Sequence, residues 1–144
     1  MKSPDGRREC SAFPKDKKIA LTGKKTTTLY LLNPDATKVE KIEVDGCAIV
    51  AGPRCDWLIV LKERRPQEEI YVELKASHIN RAVEQIEATI KRLSSGARGF
   101  KKRCIVVINR SPMTGTDLQK YKVRFRKHCN ATFMTKRDKE EVAL

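Results

Sequence analysis

Residues 55–75 read CDWLIVLKERRPQEEIYVELK, in which two apolar runs flank a polar segment that contains a proline. Apolar runs of this length, rich in β-branched and aromatic residues, are typical of buried strands. A short polar segment between two such runs is typical of a hairpin connection. The pattern therefore predicts strands over 55–62 and 70–75 that pair with each other near the centre of a sheet.

An amphipathic pattern follows this hairpin. Its apolar side chains recur at three- to four-residue spacing, and they are Ile79, Val83, Ile86, Ile90 and Leu93. This spacing places them along one face of an α-helix, which we expect over 78–94 with Ser77 as its N-cap.

The rest of the chain alternates between strand and helix patterns. Strands are predicted over 26–32, 38–44, 103–109 and 130–136, and a basic helix over 116–128. This order predicts an α/β domain with a mixed central sheet flanked by helices, since a helix between two strands usually makes a parallel crossover. Residues 26–144 are expected to form this single domain, and residues 1–25 a basic, partly flexible N-terminal segment.

The charge is strongly positive and unevenly distributed. The 144 residues include 31 Lys and Arg against 18 Asp and Glu, a net charge of +13. Residues 26–95 hold ten basic and eleven acidic side chains, whereas residues 96–128 hold ten and one. Such basic stretches favour a polyanionic partner such as nucleic acid. With four Phe, three Tyr and one Trp in the chain, we expect phosphate contacts rather than a base-stacking surface.

Several protein classes are disfavoured by the composition. No apolar run exceeds five residues, so we expect no membrane span and no secretory signal, which favours a cytoplasmic location. The cysteines are odd in number and none has a CxxC spacing, so we expect all five to be reduced thiols. They are Cys10, Cys47, Cys55, Cys104 and Cys129.

Charged residues inside the apolar strands carry the chemical argument. Glu73 and Lys75 share one face of the second strand, and Asp56 lies at the start of the first. Burial of such groups is costly unless they are paired or bind an ion. Pairing of the two strands brings the two carboxylates and the lysine together. Such a group is suited to phosphodiester hydrolysis, in which the carboxylates bind Mg²⁺ or Mn²⁺ and the lysine acts on the attacking water. The alternative is a structural salt bridge.

These residues, Asp56 and then Glu73-Leu74-Lys75 before a helix, resemble the PD-(D/E)xK nuclease superfamily, which includes restriction-endonuclease-like and Holliday-junction-resolvase-like enzymes. The resemblance covers about half of the chain and implies a restriction-endonuclease-like fold. It also implies that Asp56 and Glu73 are metal ligands, with the Leu74 carbonyl as a further ligand. Lys75 would be the catalytic lysine. One departure is that Cys55 directly precedes Asp56, where the family often has a proline.

The same resemblance implies two further contributors. Many members carry a catalytic-site Gln on the following helix, which here is Gln85, with Thr89 in place of a frequent Tyr. The alternative for Gln85 is a solvated helix residue. Many members also bring an acid from an N-terminal element to the metal. The candidates are Glu40, Glu43 and Asp45, although Asp45 before a glycine is equally typical of a turn.

The leading hypothesis is a Mg²⁺-dependent endonuclease that hydrolyses DNA, with RNA left open. A homodimer would supply the two sites needed to cut two strands. The alternatives are a nucleic-acid-binding module on the same fold that does not cleave, and a domain whose basic surface binds an acidic protein. Basic residues would hold the phosphate backbone without reading sequence. They are Lys101, Lys102, Arg103, Lys120, Lys122, Arg124, Arg126 and Lys127.

Overall fold

The computed structural model describes residues 8–23, 27–76, 78–94, 100–108 and 114–144, with Arg8, Lys75 and Ala76 described by their backbone only. In chain order, its elements are a 3-10 helix (Arg8–Cys10), β1 (Ser11–Ala12), β2 (Lys18–Thr22), β3 (Thr28–Leu32), β4 (Glu40–Glu43), β5 (Trp57–Leu61), β6 (Glu68–Ala76), α1 (Ile79–Leu93), β7 (Lys101–Ile108), α2 (Gly115–Cys129), β8 (Ala131–Arg137) and β9 (Glu141–Ala143). Within these ranges, no helix is long and apolar enough to cross a membrane.

The larger sheet is mixed, as the sequence predicts. Its strand order is β1-β4-β5-β6-β7-β8. The pairs β1–β4, β4–β5 and β5–β6 are antiparallel, and the pairs β6–β7 and β7–β8 are parallel. The parallel part is connected through α1 and α2, which explains why the two helices alternate with strands in the sequence. The prediction of an α/β domain with a mixed central sheet and flanking helices is confirmed.

Two layers cover this sheet on opposite faces. Alternation along β6 sends Tyr71 into a core with Ile86 of α1 and Phe125 of α2. It sends Ile70 into a second core with Leu29 of β3. The second core is closed by a three-stranded sheet in the order β2-β3-β9, with β3 antiparallel to β2 and parallel to β9. β6 is therefore buried on both sides, which accounts for its apolar sequence.

The predicted hairpin is confirmed, with a longer second strand than expected. β5 and β6 pair from Trp57↔Val72 to Leu61↔Glu68. The polar stretch 63–69 predicts the connection, so Glu68 and Glu69 are two positions where the structure has a strand that the sequence did not predict. The structure provides partners for both: Arg103 Nε donates to Glu68 Oε2 at 2.8 Å, and the Tyr71 hydroxyl donates to Glu69 Oε1 at 3.1 Å. These polar contacts allow the strand to begin at Glu68.

Both predicted helices are confirmed, but the expected cap of the first is wrong. His78 occupies the N-cap position of α1 and makes no side-chain capping bond, and Ser77 lies outside the described residues. α2 begins after Thr114, whose side chain accepts a hydrogen bond from the Asp117 amide at 3.1 Å. It ends at Asn130 in the left-handed conformation, which suits that residue.

The first strands of the chain join both sheets. β1 pairs with β4, and β2 forms an antiparallel pair with β3. The predicted boundary after residue 25 falls within residues 24–26, which lie outside the described ranges. Neither β1 nor β9 was predicted, because strands of two and three residues are too short to show an alternating pattern.

The expectation of five reduced thiols is wrong for one pair. Cys10 and Cys47 form a disulfide that joins the 3-10 helix to the turn after β4. Their sequence separation of 37 gave no signal, because their proximity depends on the unpredicted pairing of β1 with β4. The other cysteines are free. Burial raises the pKa of the Cys55 and Cys104 thiols, which leaves them as small apolar groups.

Removal of this cross-link should destabilise the fold. Cys47→Ser is expected to lower the free energy of unfolding by about 3–4 kcal/mol, since the disulfide restricts the unfolded chain over a span of 37 residues. Urea unfolding of the wild type in dithiothreitol should then match the variant. Cys129→Ser is the matched control, because that thiol is free. A urea midpoint of the wild type that is the same with and without dithiothreitol would contradict the expectation.

Candidate active site

A polar cavity of about 370 Å³ opens where β5 begins, close to the end of β6 and the first half of α1. Four carboxylates line it: Asp45, Asp56, Glu73 and Glu84. The guanidinium groups of Arg54 and Arg81 and the amide of Gln85 also line it. The structure therefore brings three of the sequence-predicted residues together, Asp56, Glu73 and Gln85.

Asp56 is fixed by the backbone on both sides. Its amide donates to the Val72 carbonyl at 3.0 Å, and its carbonyl accepts from the Val44 amide at 3.0 Å. Its side-chain Oδ2 accepts from the Leu74 amide at 2.7 Å. The carboxylate thus extends the β5–β6 ladder by one bond beyond Trp57↔Val72. This arrangement holds a charged group at the cavity with little freedom to reorient.

Glu73 projects from β6 on the same side as Tyr71, toward α1. Burial, followed by the nearby charge of Asp56, raises the pKa of Glu73 to about 9. Its Oε1 atom is buried and has no hydrogen-bond partner among the described atoms. The charge of Asp56 acts directly on Glu73, and we call these two carboxyl groups the acid pair. At neutral pH the pair therefore retains a proton unless a cation takes its place.

A β-bulge interrupts β6 just after Glu73. The register with β7 shifts from Glu73↔Val106 to Ala76↔Ile108, so β6 advances three residues while β7 advances two. Such a bulge takes one residue out of the ladder and redirects the strand, often beside a functional site. Leu74 and Lys75 form this bulge. The side chain of Lys75 lies outside the described atoms, so its catalytic role stays a prediction, as does the Leu74 carbonyl as a ligand.

Leu74 connects the acid pair to the smaller sheet. Its amide donates to Asp56, while its side chain is buried in the core beneath β2 and β3. Gly23 at the end of β2 lies directly against this side chain. A Cβ atom at Gly23 would lie 3.0 Å from Leu74 Cδ1 and 3.1 Å from its Cβ, closer than ordinary van der Waals contact. Only glycine leaves room for Leu74 in its present position.

Of the three candidate N-terminal acids, the structure places Asp45 at the cavity. Asp45 Oδ1 accepts a hydrogen bond from Arg54 Nε at 2.7 Å. The turn that contains Asp45 is closed by a hydrogen bond from the Ile49 amide to the Val44 carbonyl. Glu40 lies elsewhere, where Oε2 accepts from the Ser11 hydroxyl at 2.7 Å. Glu43 is exposed at the end of β4.

Thr89, in place of the family's frequent Tyr, has a different task. It is fully buried, and its hydroxyl donates to the Gln85 carbonyl at 2.8 Å. The same oxygen accepts from the Cys55 amide at 2.8 Å. Thr89 therefore ties α1 to the residue directly before Asp56. Sequence reasoning missed this link and the cavity positions of Arg54, Arg81 and Glu84. None of these three residues stands in a pattern that sets it apart from the other charged residues of the chain.

The predicted phosphate contacts are not equivalent. In the strand register, Lys101 lies opposite Glu68, which is five residues before Glu73. Lys101 is therefore roughly 16 Å from the cavity end of the sheet. Lys102 and Arg103 follow it along β7. Arg103 is engaged in two bonds to Glu68, and Arg124 pairs with Glu87 at 2.6 Å. The remaining side chains are exposed on α2, and they are Lys120, Lys122, Arg126 and Lys127.

The carboxylates of the cavity suit a cation that keeps part of its water shell. Across the described part of the chain, no three His, Cys, Asp or Glu side chains lie close enough to hold one ion. Mg²⁺ nevertheless needs only one or two protein carboxylates, because it retains several waters. The acid pair offers two, one with an unpartnered buried oxygen, so these residues fit a small hard cation. Comparisons with protein-family models, curated proteins and solved structures found no match to this chain.

Proposed function

We propose that this protein is a metal-dependent nuclease that hydrolyses phosphodiester bonds of DNA, on a restriction-endonuclease-like version of the α/β fold. One observation carries the proposal: Glu73 places an unpartnered carboxylate oxygen beside Asp56 in an open cavity. Two carboxylates close together at a half-buried site repel each other, and a bound cation would relieve that repulsion. Among the described side chains, no lysine or arginine reaches Glu73 Oε1, and the side chain of Lys75 lies outside the described atoms.

Asp56 and Glu73 would hold Mg²⁺ or Mn²⁺, with the Leu74 carbonyl as a further ligand. When bound, the cation supplies Lewis acidity to the phosphodiester and lowers the pKa of the attacking water. The backbone contacts of Asp56 hold its carboxylate in place before substrate arrives, so no reorganisation is needed during the reaction.

The remaining polar groups act on water and phosphate. Lys75 would orient the attacking water and offset negative charge on the phosphoryl oxygens. Gln85 presents an amide to the same cavity, where it can donate to a water or to a phosphoryl oxygen. Asp45 would act mainly through Arg54, because its carboxylate already accepts a hydrogen bond from Arg54 Nε.

The positive charge supports nucleic acid as substrate. A net charge of +13 raises the local concentration of a polyanion. Lys120 and Lys122 lie in the first half of α2, which starts at the same sheet edge as the cavity because α2 follows the end of β7. They are the lysines best placed to hold the backbone of bound DNA. A homodimer would supply a second site for the opposite strand.

A cleavage assay tests the proposal. Supercoiled, linear, branched and single-stranded DNA, and an RNA duplex, are incubated with Mg²⁺, Mn²⁺ or EDTA. We expect cleavage of DNA with either metal, none in EDTA, and none by Asp56→Asn. Binding without cleavage on every substrate would favour the non-cleaving module. Weak binding to all of them would favour a domain that binds an acidic protein. Cleavage that survives Asp56→Asn would contradict the assigned site.

A further inference from the structure

The cavity contains two arginines in different states. Arg54 is already engaged, since its Nε donates to Asp45 at 2.7 Å and its Nη1 donates to the Gly52 carbonyl at 2.9 Å. Arg81 projects from the first turn of α1, is exposed, and lines the same cavity. No acidic side chain in the described ranges pairs with it, although Glu84 lies one turn further along the helix.

The charges in the cavity leave Arg81 available to bind an anion. Arg54 neutralises Asp45, and a divalent cation would neutralise the acid pair. A phosphodiester that enters the cavity would still bring its own negative charge past these carboxylates. Arg81 is the remaining described cation that lines the cavity and is not committed to a protein acceptor. A guanidinium is also suited to phosphate, because its planar fork can donate two parallel hydrogen bonds.

We propose that Arg81 is a substrate-binding residue that holds a backbone phosphate of the nucleic acid at the mouth of the cavity. This inference rests on the proposed function and assigns a residue that the sequence pattern did not single out. Arg81 sets the position of the strand relative to the acid pair, and therefore which phosphodiester bond is presented for attack. The basic residues of α2 supply general attraction, whereas Arg81 acts at the reacting segment.

Binding measurements separate this role from a general effect of charge. The affinity for a labelled DNA duplex is measured over a range of salt concentrations. Ca²⁺ replaces Mg²⁺ in this assay, so that binding is measured separately from cleavage in Mg²⁺. Arg81→Ala is expected to weaken binding about tenfold and to reduce the slope of log affinity against log salt by about one. Arg81→Lys should restore the slope, because the charge is kept, and should leave cleavage in Mg²⁺ at least fivefold below wild type, because the fork is lost.

Lys91→Ala is the matched control. Lys91 is exposed on the same helix, ten residues and therefore about 15 Å further along, and its loss removes the same charge. We expect its salt slope and cleavage rate to equal those of the wild type. Equal affinities and salt slopes for Arg81→Ala and Lys91→Ala would overturn the inference. In that case, cleavage of DNA by the wild-type protein in Mg²⁺ would still support the proposed function. If the wild type binds DNA but never cleaves it, the proposed function fails, and the two slopes still decide the role of Arg81.

Discussion

Glu73→Gln is expected to slow cleavage strongly while making the metal-free protein more stable. The substitution removes one carboxylate of the acid pair and keeps the size of the side chain. A metal contributes several kcal/mol to the stabilisation of a phosphoryl transition state, so loss of a ligand should lower the cleavage rate by on the order of 10³-fold.

The gain in stability follows from the raised pKa. Folded Glu73 keeps its proton up to a pH of about 9, whereas the unfolded side chain releases it near its ordinary value of 4.5. Between these two values the folded state binds the extra proton, so wild-type stability falls as the pH rises through this window and levels off above it. Glu73→Gln is free of this penalty. In EDTA at pH 8 it should exceed the wild type by about 1–3 kcal/mol in free energy of unfolding.

Thermal unfolding from pH 4.5 to 9, with and without Mg²⁺, checks both parts. The stability difference should be small at the acid end and grow toward pH 9, and Mg²⁺ should raise the melting temperature of the wild type only. Glu63→Gln is the control, since this acid is exposed in the β5–β6 connection. Equal stabilisation of wild type and Glu73→Gln by Mg²⁺ would contradict a metal site at the acid pair.

Lys75→Ala should separate chemistry from binding. Lys75 follows the bulge residue that contacts Asp56, and we expect its ammonium to act on the attacking water. Its removal should lower the cleavage rate by about 10²–10⁴-fold, the range typical of a positioned acid or base. The Mg²⁺-dependent rise in melting temperature should remain, because both carboxylates are intact.

Single-turnover cleavage and DNA binding in Ca²⁺ provide the measurement for Lys75→Ala. Lys15→Ala is the control for charge, because Lys15 is exposed in the segment between β1 and β2. We expect the control to behave as the wild type in both assays. A Lys75→Ala protein that cleaves within threefold of the wild type would remove Lys75 from the mechanism. A loss of DNA affinity with an unchanged maximal rate would reassign it to phosphate contact.

Local patterns were sufficient to predict the centre of the fold. The β5–β6 hairpin and α1 follow from residues close in sequence, and their existence does not depend on distant partners. Once the hairpin was predicted, the proximity of Asp56 to the motif at Glu73 followed from the antiparallel pairing. Gln85 lines the cavity because α1 packs on the face of β6 that carries Glu73, and its catalytic role stays a prediction.

Features that depend on long-range contacts could not be predicted. The ion pair of Arg103 with Glu68 joins two strands whose register is set by the whole sheet, so both residues were given other roles from their sequence context. The Cys10–Cys47 disulfide depends in the same way on a two-residue strand. Arg81 was missed because one arginine in a chain with 31 basic residues has no distinguishing pattern; its significance comes from the cavity it lines.

The close approach of Gly23 to Leu74 has a consequence for how this chain tolerates change. The side chain of Leu74 lies in the core under the smaller sheet, while its amide donates to Asp56. A side chain at Gly23 would therefore have to displace a residue that is bonded to the acid pair. If β2, Gly23 and β3 were randomised and the library selected for cleavage, the apolar positions of the strands should accept other apolar residues of similar volume. At position 23 we expect enrichment of glycine, because any Cβ atom there requires Leu74 to move.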